Sequence, residues 1–219
     1  MLTPAISSID RRPTPIEFRH RPYPPLGVTQ IDIAALYPAA AAGYAAGMPS
    51  TPDFIPLRLC VLTVSDSRTL ADDRSGDYLA DSLTHEGHVL HDRALCPDDR
   101  YRMRAIVSAW IADAQVDGIL VTGGTGFTGR DSTPEAITPL LDKVMPGFGE
   151  MFRAISVDEI GTSSLQSRAF AGLANHSFVF CLPGSTSACR TAWEKIVRAQ
   201  LDARTKPCNL ATLRPRLGE

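Results

Sequence analysis

Asp98, Arg130 and Asp131 are the residues of this 219-residue chain whose types and surroundings best suit phosphate chemistry. Arg130 and Asp131 close a glycine-rich run, Gly123-Gly124-Thr125-Gly126-Phe127-Thr128-Gly129-Arg130-Asp131, while Asp98 sits in Cys96-Pro97-Asp98-Asp99. Glycines accept positive φ and let backbone amides approach a ligand closely. Ser132 and Glu135 form a capping-box pattern and Pro134 suits a first turn, so a helix is expected to start directly behind the loop. Amides in front of a helix N-terminus favour an anion, and Arg130 adds a permanent fork of donors. Asp98 and Asp131 offer hard oxygen ligands of the kind Mg²⁺ takes when it bridges a protein to nucleotide phosphates.

Two familiar letter patterns overlap this run, and neither is satisfied. Gly124 to Gly129 reads GxGxxG, but that dinucleotide fingerprint belongs to the first strand of its fold, and two strand–helix units precede it here. The acidic residue wanted some twenty positions on would fall in Gly147-Phe148-Gly149-Glu150, a helix start rather than a strand end. Gly124 to Asp131 also has P-loop spacing, with Arg130 and Asp131 where Lys and Ser/Thr are required. Pro183-Gly184-Ser185 is a second strand-to-helix glycine turn. Ser185 and Ser187 fit a cap there as well as a substrate contact, and capping alone would explain Asp98 and Asp99. His85, His88 and His91 share no face of one element, so they are expected at the surface rather than on a metal. Met145, Phe148, Met151, Phe152 and Ile155 have helical spacing and are expected in the core or at a subunit interface.

The elements that must position these residues can be read from hydrophobic patterning. Leu57 to Val64 is a strand run ending in Ser65-Asp66-Ser67-Arg68; Ser75 to Glu86 is expected as a helix capped by Ser75 and stopped by Gly87. Val89 to Leu95 reads as a second strand, and Pro97-Asp98-Asp99 opens a helix to about Ala114. Ile119 to Thr122 is the third strand. A helix is expected from Pro146 through Ile155, a short one from Gly161 into Arg168, and a hairpin of Phe170–Ala174 and Ser177–Leu182 about Asn175-His176. A last helix runs from about Ser187 to Arg204. Strands alternating with crossover helices predict a mostly parallel α/β sheet covered on both faces. Ligands of such sheets gather beyond the carboxyl ends of the strands, where all the polar loops named above fall.

Bulk properties narrow the class. Net charge is −2 with 44% hydrophobic residues, which gives no support for nucleic-acid attraction. Five cysteines without CxxC spacing read as free thiols of a reducing, cytoplasmic compartment, with neither a disulfide framework nor a zinc site. No apolar run approaches the length of a membrane span. Residues 1–56 stand apart: they hold ten of the 17 prolines, so they read as an extension preceding a domain of residues 57–219. Arg11-Arg12 is followed at once by Pro13, and an export signal is not expected.

The loops taken together resemble a known family. Gly123-Gly124-Thr125-Gly126 with Arg130-Asp131 and Thr133-Pro134-Glu135, then Pro146 to Glu150, Leu165-Gln166-Ser167-Arg168 and Leu182-Pro183-Gly184-Ser185, are similar to the MoaB/MogA family of molybdenum-cofactor biosynthesis, which includes the G domain of gephyrin. The match runs from about Leu57 to Leu213, and Gly161 to Arg168 with Ala188 to Asn209 resembles its MoaB branch. The resemblance implies a three-layer α/β/α fold, assembly as a homotrimer or homohexamer, and a molybdopterin adenylyltransferase. Such an enzyme uses Mg²⁺ and ATP to make adenylyl-molybdopterin and pyrophosphate, which a MoeA-type molybdate-inserting protein then takes on. It also implies roles: Gly123, Gly124, Thr125 and Gly126 cradle phosphate, and Asp98 and Asp131 are the essential aspartates, holding Mg²⁺. Asp66, Arg130, Glu135, Pro183, Gly184 and Ser185 line the same pocket. The alternative the resemblance leaves open is a catalytically silent molybdopterin carrier or scaffold.

Overall fold

The computed structural model describes residues 53–217; the proline-rich extension up to residue 52 and residues 218–219 lie outside the described residues. Six strands form one sheet, in the order Val89–Cys96, Arg58–Val64, Gly118–Thr122, Ser177–Leu182, Phe170–Ala174, Lys143–Met145. β1 (Arg58–Val64), β2 (Val89–Cys96), β3 (Gly118–Thr122) and β6 (Ser177–Leu182) run parallel. β5 (Phe170–Ala174) returns antiparallel beside β6, and β4 (Lys143–Met145) pairs antiparallel with β5. The hairpin turns at Asn175-His176, where Asn175 has φ 53°. Asparagine is among the few residues that enter the left-handed region readily.

Period-two alternation sends neighbouring side chains of each central strand into different layers. Leu59, Val61, Leu120, Phe178, Phe180 and Leu182 face one core. There they meet helix α1 (Arg74–His85), helix α4 (Pro146–Ile160) and helix α5 (Thr186–Ala192), which runs on through a π-helical turn at Trp193–Val197 into α6 (Arg198–Leu201). Cys60, Leu62, Ile119, Val121, Val179 and Cys181 face the other core, under α2 (Arg100–Ala112) and α3 (Thr133–Ile137). A short α7 (Leu210–Leu213) packs on the first side, and a 3₁₀ turn at Arg214–Arg216 follows it. The result is the expected three-layer α/β/α architecture. Burying Cys60 and Cys181 pushes both thiols up, Cys60 to about 12, so they act as small apolar residues.

Several local expectations change. Asp73, not Ser75, caps α1, accepting from the Gly76 amide at 3.0 Å. Carboxylates and hydroxyls both cap well, and what decides is that Ser75 is drawn elsewhere, donating to the Gly184 carbonyl at 2.8 Å. The Ser132–Glu135 capping box does not close: Ser132 makes no side-chain cap bond to α3. Its hydroxyl goes to Asp98 and the Glu135 carboxylate to Arg168. β4 is absent from the expectations, because three residues give no readable alternation. The short helix expected from Gly161 is present as a 3₁₀ helix over Gly161–Gln166.

His88 is the clearest reversal. It is 4% exposed, packs between Phe54 and Trp193, and takes a hydrogen bond from the Leu57 amide on Nδ1. Desolvation lowers its pKa, so it serves as a neutral acceptor at the start of the sheet.

Candidate functional site

Parallel register brings the polar loops to one rim. Val64 lies opposite Cys96, Thr63 opposite Thr122, and Thr122 opposite Leu182, so the ends of the four parallel strands finish nearly level. From there the chain leaves as Ser65 to Arg68 after β1, Pro97 to Asp99 after β2, Gly123 to Ser132 after β3, and Pro183 to Ser185 after β6. A cleft of about 540 Å³ opens between them, lined by Ser65, Ser67 and Arg68, by Gly123 to Gly126 with Asp131, by Gln166 and Ser167, and by Pro183 to Ser185.

Two glycines are required by geometry. Gly123 has φ 108°, and a Cβ there would stand 2.2 Å from the Val64 carbonyl oxygen. Gly124 has φ 62°, and its Cβ would meet the Asp98 carboxylate at 2.6 Å. The loop is thus pressed against the end of β1 on one side and against Asp98 on the other. Thr133 fastens it from behind, donating its hydroxyl to the Gly123 carbonyl at 2.8 Å and its amide to the Gly124 carbonyl at 3.0 Å.

Asp131 turns back into its own loop. Its carboxylate accepts from the Thr128 amide at 2.7 Å and the Thr128 hydroxyl at 2.6 Å, and also from the Gly126 amide. Burial by itself would raise this acid, but those hydrogen bonds and the charge of Arg168 hold it below the ordinary aspartate range. Part of the amide nest expected to cradle a phosphate therefore grips Asp131, and the Gly123 amide donates to Leu182. Asp98 behaves in the opposite way. Burial lifts its pKa; the hydroxyl and amide of Ser132 counter that, and the negative Asp131 and Asp66 add to the rise. The surroundings favour the charge on one aspartate and penalise it on the other, although both border Gly124 to Gly126.

Asp66 ties the rim together. One oxygen accepts from the Asp98 amide at 3.2 Å and the other from Arg130 at 2.6 Å. Asp98, Asp99, Arg100, Tyr101, Gly129, Arg130 and Ser132 line a smaller hollow of about 320 Å³ beside the cleft. Glu135 does not line the cleft: it pairs with Arg168, and its carbonyl receives Arg104 at 2.8 Å. Ser185 caps α5 through the Ala188 amide and also borders the cleft.

Arg168, present in the sequence motif without an assigned role, holds the glycine loop. Its Nε donates to the Gly126 carbonyl at 2.7 Å, one terminal nitrogen to the Asp131 carbonyl at 2.7 Å, and the other to Glu135. Its guanidinium also lies 5.5 Å from the Phe127 ring centroid. Ser75, expected only as a helix cap, and Arg68, expected only as part of the loop after β1, likewise carry site contacts. Ser75 binds Gly184 and receives Arg68 at 3.1 Å, joining α1 to the second glycine turn. A buried serine and a loop arginine carry no periodic signal, and only the topology brings them together.

The donor set suits Mg²⁺ in type: Asp66, Asp98 and Asp131 are hard oxygen donors whose mutual repulsion a cation would relieve. Among the described residues no three acidic, histidine or cysteine side chains converge as a ready metal cage. Mg²⁺ would then complete its shell with phosphate oxygens and water, as it does when it binds by one or two carboxylates plus substrate.

Fold and site together define an open α/β protein with a polar, carboxylate-flanked cleft at the carboxyl edge of its parallel strands. Residues 60–203 match the family model described as a probable molybdopterin binding domain. The molybdenum cofactor biosynthesis protein B of Escherichia coli (strain K12) is 57% identical over 157 residues, spanning 72% of this chain and 92% of that protein. A crystal structure of molybdenum cofactor biosynthesis protein B superposes with TM-score 0.66 and 39% identity, covering 68% of this chain and 94% of the other. The tungsten cofactor synthesizing protein MoaB from Pyrococcus furiosus gives 0.58 and 34%, covering 68% and 92%. The chain belongs to the MoaB/MogA family of molybdenum-cofactor biosynthesis proteins. No helix among the described residues is long and apolar enough to cross a membrane.

Proposed function

We propose that this chain is a molybdopterin adenylyltransferase. The terminal phosphate of molybdopterin attacks the α-phosphorus of ATP; a new P–O–P linkage forms, the bond to the β-phosphate breaks, and pyrophosphate leaves. The observation that carries this reading is the pair Asp98 and Asp131 bracketing a glycine loop at the carboxyl ends of parallel strands. The nucleophile is already an anionic phosphate, so positioning and charge neutralisation suffice and no strong base is needed.

Each residue then has a task its surroundings favour. Gly124 and Thr125, with Ser65, Ser67, Arg68 and Ser185 of the cleft wall, receive phosphate oxygens. Asp131 fixes the loop's shape, and Arg168 locks that shape from outside. Asp98, only partly neutralised by Ser132, is the carboxylate best placed to hold Mg²⁺, with Asp131 across the loop. When bound, Mg²⁺ supplies positive charge to the phosphate oxygens. The reading extends to assembly as a homotrimer or trimer-based hexamer, supported by the half-exposed apolar Met151, Val157 and Ile160 of α4 and by exposed Leu165. It extends also to a MoeA-type partner that takes the adenylylated product.

Pyrophosphate release with molybdopterin and Mg-ATP tests the assignment. Asp98→Asn and Asp131→Asn are each expected to lower turnover at least about 100-fold while the chain stays folded. Wild-type turnover in both would overturn it. Molybdopterin binding without any pyrophosphate release in the wild type would assign the chain as a carrier instead.

A further inference from the structure

We infer that the hollow beside the cleft is the subsite for the polyphosphate tail of the nucleotide, and that Arg130 enters it by leaving Asp66. The inference rests on the adenylyltransferase reading and adds where the leaving group sits. Residues 129–132 form the shared wall: Asp131 lines the cleft, whereas Gly129, Arg130 and Ser132 line the hollow. Two polyanions must be held apart except where their reacting phosphates meet, and attacking and leaving oxygens must stand roughly in line. Two adjoining cavities with a common wall meet that need better than one open cleft.

The hollow has two arginines on its wall where the cleft has one, Arg68. Arg100 and Arg130 both line the hollow, along with Asp98 and Asp99. Asp99 is engaged as the cap of α2, accepting from the Tyr101 and Arg102 amides at 2.9 Å each. Arg130 is held by Asp66, but weakly: its side chain is 71% exposed and that of Asp66 37%. Such an ion pair is worth roughly 0–1 kcal/mol and is screened by salt. A triphosphate carries several charges and accepts both prongs of a guanidinium, so it outcompetes one half-exposed carboxylate. Asp66 keeps its bond to the Asp98 amide after release, so the rim is not dismantled. Asp66 is thus a positioning residue: it keeps Arg130 at the mouth and surrenders it to phosphate.

Titration calorimetry of the full chain with inorganic triphosphate in Mg²⁺ at low ionic strength tests this. Arg130→Gln is expected to weaken binding about tenfold. Asp66→Asn, which keeps an acceptor for the Asp98 amide, is expected to tighten it about two- to fivefold. In the Arg130→Gln background the same Asp66→Asn change is expected to do nothing, because no competitor is left to remove. Tightening of equal size in both backgrounds would show general electrostatics and overturn the handover, as would weakening by Asp66→Asn. If the wild type binds no triphosphate yet releases pyrophosphate from Mg-ATP, the subsite is wrong and the adenylyltransferase reading stands. If it does neither, both fall.

Discussion

Asp98 is held where its charge is unwelcome. Because its pKa is raised in the fold, the native state binds its proton more tightly than the unfolded chain does. The contribution to stability is therefore full below the ordinary aspartate value of 3.8 and is lost as pH rises through the folded value. At neutral pH the ionised group is penalised first by burial and then by repulsion from Asp131 and Asp66. Asp98→Asn keeps the Ser132 contacts and removes the buried charge, so it is expected to raise the melting temperature at pH 7 even as turnover falls. The gain should vanish at pH values where Asp98 is protonated. Thermal melts across pH check this; a loss of stability at pH 7 would show that the carboxylate is not strained. Arg168 makes the complementary case. Arg168→Lys keeps a positive charge but cannot span Gly126, Asp131 and Glu135 together. A loop displaced by an ångström costs on the order of 100-fold in rate, so kcat/KM for pyrophosphate release should fall about 10- to 100-fold with the fold intact.

At the scale of elements, the site depends on how α1 is seated. Asp73 is fully buried and accepts from the Thr63 hydroxyl at 2.7 Å, the Gly76 amide and Arg93 at 2.9 Å. It links the end of β1 to the start of α1, whose next residue but one, Ser75, holds the Gly184 turn. Burial alone would raise this acid; the Thr63 hydroxyl, the Gly76 amide and Arg93 outweigh it and depress the pKa below 3.8. Its stabilisation is accordingly full above that value and is lost as pH falls through the lower folded value. Asp73→Ala is expected to cost about 3 kcal/mol in denaturant unfolding, since it leaves Arg93 with one acid partner and α1 without its cap. Asp73→Asn should flatten the acid limb of the stability–pH curve. An unchanged limb would mean that other carboxylates carry it.

At the scale of the whole molecule, the two cores that sandwich the sheet are, among the described residues, built from residues 57–217. The same span contains the family match, residues 60–203. A chain beginning at Asp53 is therefore expected to fold and to release pyrophosphate within about twofold of the full chain's rate. Loss of activity with a normal melt would assign residues 1–52 a part in catalysis.

The sequence by itself determined the layers and the place of the site. β-branched and apolar runs such as Ile119 to Thr122, alternating with helical spacing, dictate a parallel sheet, and a parallel sheet must bring its strand-end loops to one rim. The glycine loop, Asp98 and the Pro183-Gly184-Ser185 turn were legible for that reason. Tertiary structure alone decided what each side chain does there. Ser132, Glu135 and Ser75 all have local partners that sequence spacing predicts, yet each bonds across elements instead, to Asp98, Arg168 and Gly184. A hydroxyl or carboxylate follows the strongest unmet donor or acceptor within reach, and which one is within reach depends on packing. The same holds for His88, whose polar type suggested solvent until Phe54 and Trp193 closed over it. It holds for Asp98 and Asp131 above all. Two identical side chains at the same loop are driven in opposite directions by their neighbours, and no spacing of letters could have told them apart.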